Sequence, residues 1–394
     1  MVKQKLIQIT TYFLMVILLT GCWDQISIEE HGFVVGSAID KANDYSDENM
    51  NLSLTNQIVS PAGLGTPAGG GNNKSPFVNV TATGTSIFTI NRNMVQEISR
   101  APFYEHVRLL IVSEEVAREP EIFASILDIF IRDQEMRRGI KIMIAKNKAK
   151  ELLEIKPEPE QLPVRYLDMI SDNNYKSIDM IDPVTLGNVH DFLLNNKSYV
   201  LPKISLSENE VDYKGAAVFH GLNDNMVAEL TAQETKGMNL VKGDVNGGVI
   251  KFKVEDHVMT FELEGAKSKI KIDPKDPKNM DISVNVEVEG RLAEMYGSKT
   301  LLDPSYLSKI EEKVAKKIEK LANQTIDKAQ KEMKLDIFDF DKILKQKHYS
   351  IWKRIKKDWE DGENYFANSR IDVSADVQIR ETGATNRAKG KRHE

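Results

Sequence analysis

Cysteine is nearly absent from this chain of 394 residues, which contains a single one, Cys22. One cysteine cannot form a disulfide within the chain, and alone it cannot build a zinc site. The seven histidines are scattered and form no H-E-x-x-H pair or Cys/His cluster. The sequence also lacks the G-x-S-x-G elbow of hydrolases and the G-x-x-x-x-G-K-[ST] phosphate loop. We therefore expect no metal, no cofactor and no catalytic residues, and predict that the chain is not an enzyme.

An excess of positive charge is also missing, since 59 acidic side chains outnumber 53 basic ones and the net charge is −6. Nucleic acid is therefore not an expected partner. The hydrophobic fraction of 41% and the charged fraction of 28% are typical of a globular protein. A chain of this length is expected to form two or three domains.

The apolar run at 9–19 is interrupted by two threonines and is too short to span a bilayer comfortably. It follows Lys3 and Lys5, and it has the length of a signal-peptide core. We therefore predict a lipoprotein signal peptide over 1–21.

The cysteine lies at the end of this segment, in Leu19-Thr20-Gly21-Cys22. The order aliphatic, small, small, cysteine is that of a bacterial lipobox, in which the thiol receives diacylglycerol and the peptidase cuts between Gly21 and Cys22. An ordinary signal peptide and a buried core thiol are the alternatives. At least two acyl chains on Cys22 would anchor the protein stably to a membrane. An acidic body on such an anchor is expected to project from an anionic membrane.

The first half of the chain alternates strand and helix patterns. Strands are predicted at 31–40, 51–60 and 77–83, followed by a helix over 86–100. A strand at 107–112, a helix at 121–131 and a strand at 140–145 then predict a parallel or mixed sheet covered by helices. The Gly- and Pro-rich stretch after residue 60 loosely matches a dinucleotide fingerprint, but Pro67 and the following glycines favour a surface loop.

The second half is dominated by strands with one polar and one apolar face. The clearest is 281–290, where Ile282 and every second residue after it are apolar, as in an antiparallel sheet. A long amphipathic helix is predicted to begin at Pro304 with Asp303 as its cap and a Leu302–Leu307 staple. A tryptophan-bearing helix at 351–359 and a final strand at 370–380 complete this half.

The predicted fold class is α+β, with several mixed α/β domains. Strand and helix domains form the N-terminal half, and an antiparallel sheet packed with the long helix forms the C-terminal half. We place one domain at 22–205, a second at 206–384 and a frayed basic tail at 385–394.

A charged group closes the apolar helix at 121–131, formed by Arg132, Asp133, Arg137 and Arg138. Arginine binds carboxylates through paired hydrogen bonds, so this group could bind a partner. It could equally be a helix-end cluster that anchors the next turn, because exposed ion pairs are common and weak.

Motifs in this order resemble the Ger(x)C family of spore germination proteins from one end of the chain to the other. The N-terminal motifs are Cys22-Trp23-Asp24, Gly32-Phe33-Val34, Ser99-Arg100, His106 and Phe130 to Arg137. The C-terminal motifs are Leu230 to Gly237, which includes Glu234, then Lys328-Ala329-Gln330, Asp336-Ile337-Phe338, and Trp352 with Trp359. The family often has Gly-Phe-Gly after Asp-Ile-Phe, whereas this chain has Asp339-Phe340-Asp341. The local turn is therefore expected to differ, because glycine is used where φ is positive.

The resemblance implies a non-enzymatic lipoprotein, the C subunit of a nutrient germinant receptor, on the outer face of the spore inner membrane. It further implies assembly with two membrane subunits, A and B. The residues it marks as partner contacts or structural motifs are Arg100, His106, Arg132, Asp133, Arg137, Glu234, Gln330 and Trp352.

Two other functions are compatible with a lipobox. A solute-binding lipoprotein of an ABC importer would need two doubly wound lobes, which the strands and long helix of 280–334 argue against. A cell-wall hydrolase would need a catalytic constellation that the sequence does not display.

Overall fold

The computed structural model describes residues 3–5, 31–46, 49–64, 75–158, 160–208, 210–243, 245–255, 257–295 and 303–381. The lipobox with Gly21 and Cys22, Leu302 of the predicted staple and the basic tail lie outside the described residues. The described part of the chain forms a nine-stranded sheet and a four-stranded sheet, with helices packed on both. The α+β class is therefore confirmed.

The nine-stranded sheet is mixed, as the strand–helix–strand spacing predicts. The strands run in the order β3-β2-β1-β5-β6-β7-β8-β9, and β4 pairs beside the start of β1. β1, β5, β6 and β7 are parallel to one another, and the flanking pairs are antiparallel. The strands are β1 (His31–Lys41), β2 (Leu52–Val59), β3 (Phe77–Gly84), β4 (Ala101–Phe103), β5 (Leu109–Ser113), β6 (Lys141–Ala145), β7 (Tyr199–Ser207), β8 (Glu210–His220) and β9 (Asn225–Leu230).

Helices cover both faces of this sheet, which is why its central strands are apolar throughout. In β5, Leu110 and Val112 pack with the helices at 87–94, 122–132 and 186–194 on one side, whereas Leu109 and Ile111 pack with those at 149–152 and 163–171 on the other. The helices are α1 (Ile87–Met94), α2 (Glu114–Ala117), α3 (Ile122–Arg132), α4 (Ala149–Leu152), α5 (Pro163–Ser171) and α6 (Leu186–Leu194), with 3-10 turns at Pro61–Gly63 and Asp172–Lys176.

Two features of this half differ from the sequence-based expectation. The predicted helix over 86–100 ends at Met94, because Gln96 and Glu97 bond back to Asn93 and Met94 in turns that lead to β4. Strand β7 has no counterpart in the prediction. It contains Pro202, which breaks the strand pattern and lies at an irregularity in the pairing with β8, where proline is tolerated.

The four-stranded sheet has the order β10-β11-β12-β13 and comprises β10 (Gly248–Val254), β11 (His257–Asp273), β12 (Asp281–Met295) and β13 (Arg370–Glu381). The predicted apolar face of β12 is buried, from Ile282 to Val288. The expectation of an antiparallel sheet is wrong for β13, which runs parallel to β12. A parallel neighbour needs a long crossover, and the helices between these two strands supply it.

Those helices are α8 (Pro304–Asp327), which continues into a π-helical turn (Lys328–Met333), then α9 (Phe340–Lys347), α10 (Tyr349–Ile355) and α11 (Tyr365–Asn368). Asp303 caps α8 as predicted, with its carboxylate accepting from Ser305 N at 2.9 Å. The tryptophan-bearing helix is shorter than predicted and ends at Ile355. Among the helices that the structure describes, none combines the length and apolar character required to cross a membrane.

Helix α7 (Ala232–Lys242) connects the two sheets and packs against α8. The ladder of the first sheet continues past residue 205 to Leu230, and residues of β8 join the core of the second sheet. The two halves of the molecule therefore share packed contacts, while the domain boundary at 205 stays a prediction.

Candidate functional site

The loop that follows α8 is organised by one buried carboxylate, that of Asp336. It accepts hydrogen bonds from the backbone N–H groups of Phe338 at 3.0 Å and Asp341 at 2.8 Å. The indole Nε1–H of Trp359 donates to the same carboxylate at 3.1 Å. A buried polar group is stable when it is satisfied in this way, so the Asp-Ile-Phe motif and Trp359 form one structural unit.

The next residues of this loop are Asp339-Phe340-Asp341, where the resemblance leads us to expect Gly-Phe-Gly. Asp339 has φ 66°, in the left-handed region that glycine adopts without steric strain and that aspartate tolerates. Asp339 therefore adopts a backbone conformation that suits glycine and adds an acidic side chain to it, while the expected difference from a glycine-containing turn stays a prediction.

The added carboxylates bind lysines from two other parts of the fold. Asp339 lies 2.7 Å from Lys242 at the end of α7, and it also pairs with Lys197, just before β7. Asp341 lies 3.0 Å from Lys197. These ion pairs join the loop of the second half to the first sheet.

The charges shift each other's ionisation. Burial opposes the charge on Asp339, yet the Lys242 and Lys197 ammonium groups hold the pKa of that carboxyl well below its usual range. Burial likewise opposes the charge on Lys197, but the Asp341 and Asp339 carboxylates raise its pKa. Both partners of the Lys197–Asp339 pair therefore stay ionised at neutral pH.

A second carboxyl group lies beside Asp336. Glu360 accepts from Asp336 N at 2.7 Å and from Ser198 Oγ at 2.7 Å. Burial, together with the negative charge of Asp336, raises the pKa of Glu360 to about 8. Burial and the charge of Asp341 also raise the pKa of Asp336. A strongly shifted pKa marks either a functional group or a structural network. Because Asp336 and Glu360 each accept hydrogen bonds from backbone or side-chain donors, their contacts favour the structural network.

This cluster lies beside a cleft of about 1220 Å³ between the two halves of the molecule. Apolar side chains form part of its lining, and exposed lysines from α9, α10 and the turn after α10 form another part. The apolar lining includes Ile178, Ile181, Tyr199, Met238, Trp352 and Trp359. The exposed lysines are Lys342, Lys345, Lys353, Lys356 and Lys357.

The motif from Leu230 to Gly237 builds the start of α7. Thr231 and Glu234 form a capping box, in which Glu234 accepts from Thr231 N at 2.7 Å. Glu234 also lies 2.9 Å from Lys328. A Cβ on Gly237 would lie 2.2 Å from Thr325 Oγ1 and 2.3 Å from the Leu321 carbonyl oxygen. The glycine therefore permits α7 and α8 to pack in close contact.

Gln330 and Trp352 also have identifiable contacts. Gln330 Nε2 donates to the Phe366 carbonyl at 2.9 Å and to the Ser369 carbonyl at 2.7 Å, which positions the entry to β13. The Trp352 ring meets that of Trp359 edge-on, with 6.2 Å between centroids. The structure thus brings Glu234, Gln330 and Trp352 into the packing around α7, α8 and the loop.

The charged group after α3 lies elsewhere and is held locally. Arg132 is exposed and pairs with Asp128 of its own helix at 2.7 Å. The Asp133 carboxylate accepts from Glu135 N at 2.9 Å, and the Arg137 carbonyl accepts from Ile140 N at 3.2 Å. These contacts fit the helix-end interpretation, and they leave the Arg132 guanidinium in solvent.

Arg100 and His106 lie near the start of β1. The His106 ring packs against Phe33 at 5.4 Å and Phe103 at 5.8 Å, while its side chain stays exposed. The Arg100 side chain is also exposed, and its carbonyl oxygen would lie 3.1 Å from a Cβ on Gly32. The two residues therefore border an aromatic surface cluster formed with His31.

Sequence reasoning did not identify Lys197, Ser198, Lys242 and Glu360 as members of the cluster. Nothing in the local pattern distinguishes these residues from solvated polar side chains, and their partners are distant along the chain. The paired Asp339 and Asp341 offered a signal, because two carboxylates beside a buried motif require cations nearby.

Within the ranges that the structure describes, no three His, Cys, Asp or Glu side chains are grouped so as to hold a metal ion. The carboxylates at the cleft are instead bound by lysine ammonium groups, N–H donors and a serine hydroxyl. This arrangement can fix two parts of the fold together and can present a charged surface to a partner.

Two family models match consecutive parts of the chain. Residues 24–206 match the spore germination protein N-terminal domain, and residues 214–383 match the spore germination B3/GerAC-like C-terminal domain. Together they account for about nine-tenths of the chain.

Proteins of Bacillus subtilis are similar over nearly their whole length. The spore germination protein YndF is 29% identical over 97% of this chain and 98% of its own. Spore germination protein A3 is 29% identical over 96% and 98%, and spore germination protein KC is 26% identical over 95% of each. The crystal structure of the GerBC protein matches with a TM-score of 0.60 at 24% identity, covering 88% of this chain and 97% of that one. The chain belongs to the GerAC-like family of spore germination proteins.

Proposed function

We propose that this member of the family is the lipid-anchored C subunit of a nutrient germinant receptor, and that it acts by assembling with two membrane subunits, A and B. In this proposal the chain carries no catalytic step. Its contribution is a folded body held at the membrane, where it completes the receptor that triggers germination.

The observation that carries this proposal is that both domain models of the family match the chain, one after the other. The packing of the motif residues in the second half supports it. The capping box at Thr231, the close contact at Gly237 and the Asp336–Trp359 bond all fix the second half of the molecule. A family whose motifs build the body rather than an active site fits a binding subunit.

The anchor in this proposal is a diacylglyceryl group on Cys22, added before cleavage between Gly21 and Cys22. Two acyl chains provide stable attachment, whereas one provides marginal attachment. The proposed location is the outer face of the spore inner membrane, where a secreted lipoprotein of this kind would meet the A and B subunits.

The importer alternative requires two doubly wound lobes around a ligand cleft. The described residues instead form one mixed sheet that is joined through α7 to a four-stranded sheet. This topology gives the importer no support, and we do not propose it.

The assembly is tested by purification from spore membranes. A chain with a C-terminal affinity tag is recovered in mild detergent, and the bound proteins are identified by mass spectrometry. A tagged spore lipoprotein of another family serves as the control. We expect two multi-span membrane proteins encoded beside this chain to be recovered with it and not with the control. Recovery of neither would contradict the proposal.

A further inference from the structure

Helices α9 and α10, with the turn that follows them, form a strongly basic surface. Residues 340–357 contain seven lysines or arginines and one acidic residue, Asp341. The basic side chains are all exposed, and none has an ion pair with another described residue. They are Lys342, Lys345, Lys347, Lys353, Arg354, Lys356 and Lys357.

Aromatic side chains accompany these charges. Tyr349 is 61% exposed although it is large and partly apolar, and Trp352 is half-buried at the cleft. Tyrosine and tryptophan favour the membrane–water interface, because one end of the ring system is apolar and the other forms hydrogen bonds. We call residues 340–357 the basic helix pair.

The sheet topology shows where the basic helix pair lies in the molecule. The pair lines the same cleft as Lys197 and Ser198, which lie immediately before β7. β1, β5, β6 and β7 are successive neighbours in the sheet and run parallel to one another. The starts of β1 and β7 therefore lie at the same edge of the sheet. The two strands are three steps apart, or roughly 15 Å.

The start of β1 is also where the chain arrives from its N-terminus. His31 lies nine residues after Cys22, a length that can extend at most about 30 Å. If Cys22 is in the membrane, His31 lies within that distance of it, at the same edge of the sheet as Lys197. The aromatic cluster of His31, Phe33, Phe103 and His106 lies at this same edge.

We propose that the basic helix pair binds the headgroups of anionic phospholipids and holds this edge of the first sheet against the membrane. The orientation rests on the proposed anchor at Cys22, whereas the charge pattern is independent of it. The net charge of −6 was the reason to expect that the body projects from an anionic membrane, and we replace that expectation for one edge of the first sheet. Attraction within a Debye length depends on the local charge, and here the local charge is positive.

The test uses the mature lipoprotein bound to vesicles of phosphatidylcholine alone or of phosphatidylcholine mixed with phosphatidylglycerol. A water-soluble amine reagent labels exposed lysines, and mass spectrometry gives the rate at each one. We expect labelling of Lys347, Lys356 and Lys357 to be roughly fivefold slower or more on the anionic vesicles, and this protection to disappear in high salt.

Two variants make the test specific. In Lys342→Glu/Lys345→Glu/Lys353→Glu the remaining lysines of the basic helix pair are expected to lose their protection. The control variant Lys271→Glu/Lys313→Glu/Lys320→Glu removes three exposed lysines of β11 and α8, and the protection is expected to remain. Thermal unfolding of both variants checks that the fold is retained.

Equal labelling rates on the two vesicle types would overturn the inference, whether or not both rates are slower than in the absence of vesicles. If the chain still floats with both vesicle types, the headgroup inference fails but the proposed lipid anchor is supported. A chain that binds neither vesicle would count against the anchor itself.

Discussion

The carboxylate of Asp339 lies 2.7 Å from the Lys242 ammonium group, and the same residue occupies the left-handed region at φ 66°. A backbone conformation that suits glycine is thus combined with an ion pair that glycine could not make. Lys197 binds this carboxylate from 142 positions away along the chain. The loop after α8 is therefore fastened both to α7 and to the first sheet.

Replacing Asp339 separates these two effects. Asp339→Gly removes the ion pairs and keeps a favourable backbone, and we expect it to lower the free energy of unfolding by about 1–2 kcal/mol. Asp339→Ala removes the same contacts and adds the cost of positive φ, so it should be less stable than the glycine variant by about 1 kcal/mol. Urea unfolding followed by tryptophan fluorescence measures both. Equal stabilities of the two variants would contradict the backbone part of this account.

Gly237→Ala tests the contact between α7 and α8. The new methyl group would meet Thr325 Oγ1 at 2.2 Å and the Leu321 carbonyl at 2.3 Å, so the helices must separate. We expect a loss of about 1–3 kcal/mol in the free energy of unfolding. Gly139→Ala, in a turn, is the control for a glycine without close neighbours, because its methyl group meets no atom within 4 Å. A similar effect at both positions would show that crowding between the helices is not the cause.

Glu360 gives the fold a dependence on pH. Burial and the charge of Asp336 raise its pKa from 4.5 to about 8, so the folded state holds the proton more tightly than the unfolded state. The resulting stability is fully present below pH 4.5 and is lost as the pH rises towards 8. The wild-type chain should therefore lose about 2–4 kcal/mol more than Glu360→Gln between pH 5 and pH 8. Parallel stability curves for the two proteins, from urea unfolding at several pH values, would refute this.

Cys22→Ala tests the anchor. The strands and helices of the two sheets are built from residues 31–381, so we expect the variant to fold with an unchanged thermal midpoint. It should leave the spore membrane fraction and weaken the nutrient response, because the two acyl chains are lost. Immunodetection in membrane and soluble fractions, combined with germination assays, measures both effects. A full nutrient response in spores of this variant would contradict the prediction.

Much of the fold follows from periodicity. The alternation in β12 and the apolar stripe of α8 predicted their type and buried faces, because each exposes one side to water over many residues. The strand order and the direction of β13 did not follow, since alternation is the same in parallel and antiparallel pairs. Strand β7 was missed because Pro202 interrupts its pattern.

The candidate site was predictable in part. The motif residues Glu234, Gln330 and Asp336 were identified from the sequence, but their partners were not. Lys197 and Glu360 meet the loop through contacts between elements that are remote along the chain, and such contacts leave no local signal. The sequence also did not explain why residue 237 is a glycine, because only the packing of α8 against α7 shows which atoms a side chain there would contact.

The most direct test of the central claim is germination of spores that lack this chain, followed by optical density across a panel of nutrients and with a non-nutrient trigger. We predict that the response to one set of nutrients is lost, that the non-nutrient response is intact, and that a copy of the gene restores the loss. Unchanged germination with every nutrient, in spores that also lack similar proteins of the family, would contradict the role proposed for this chain.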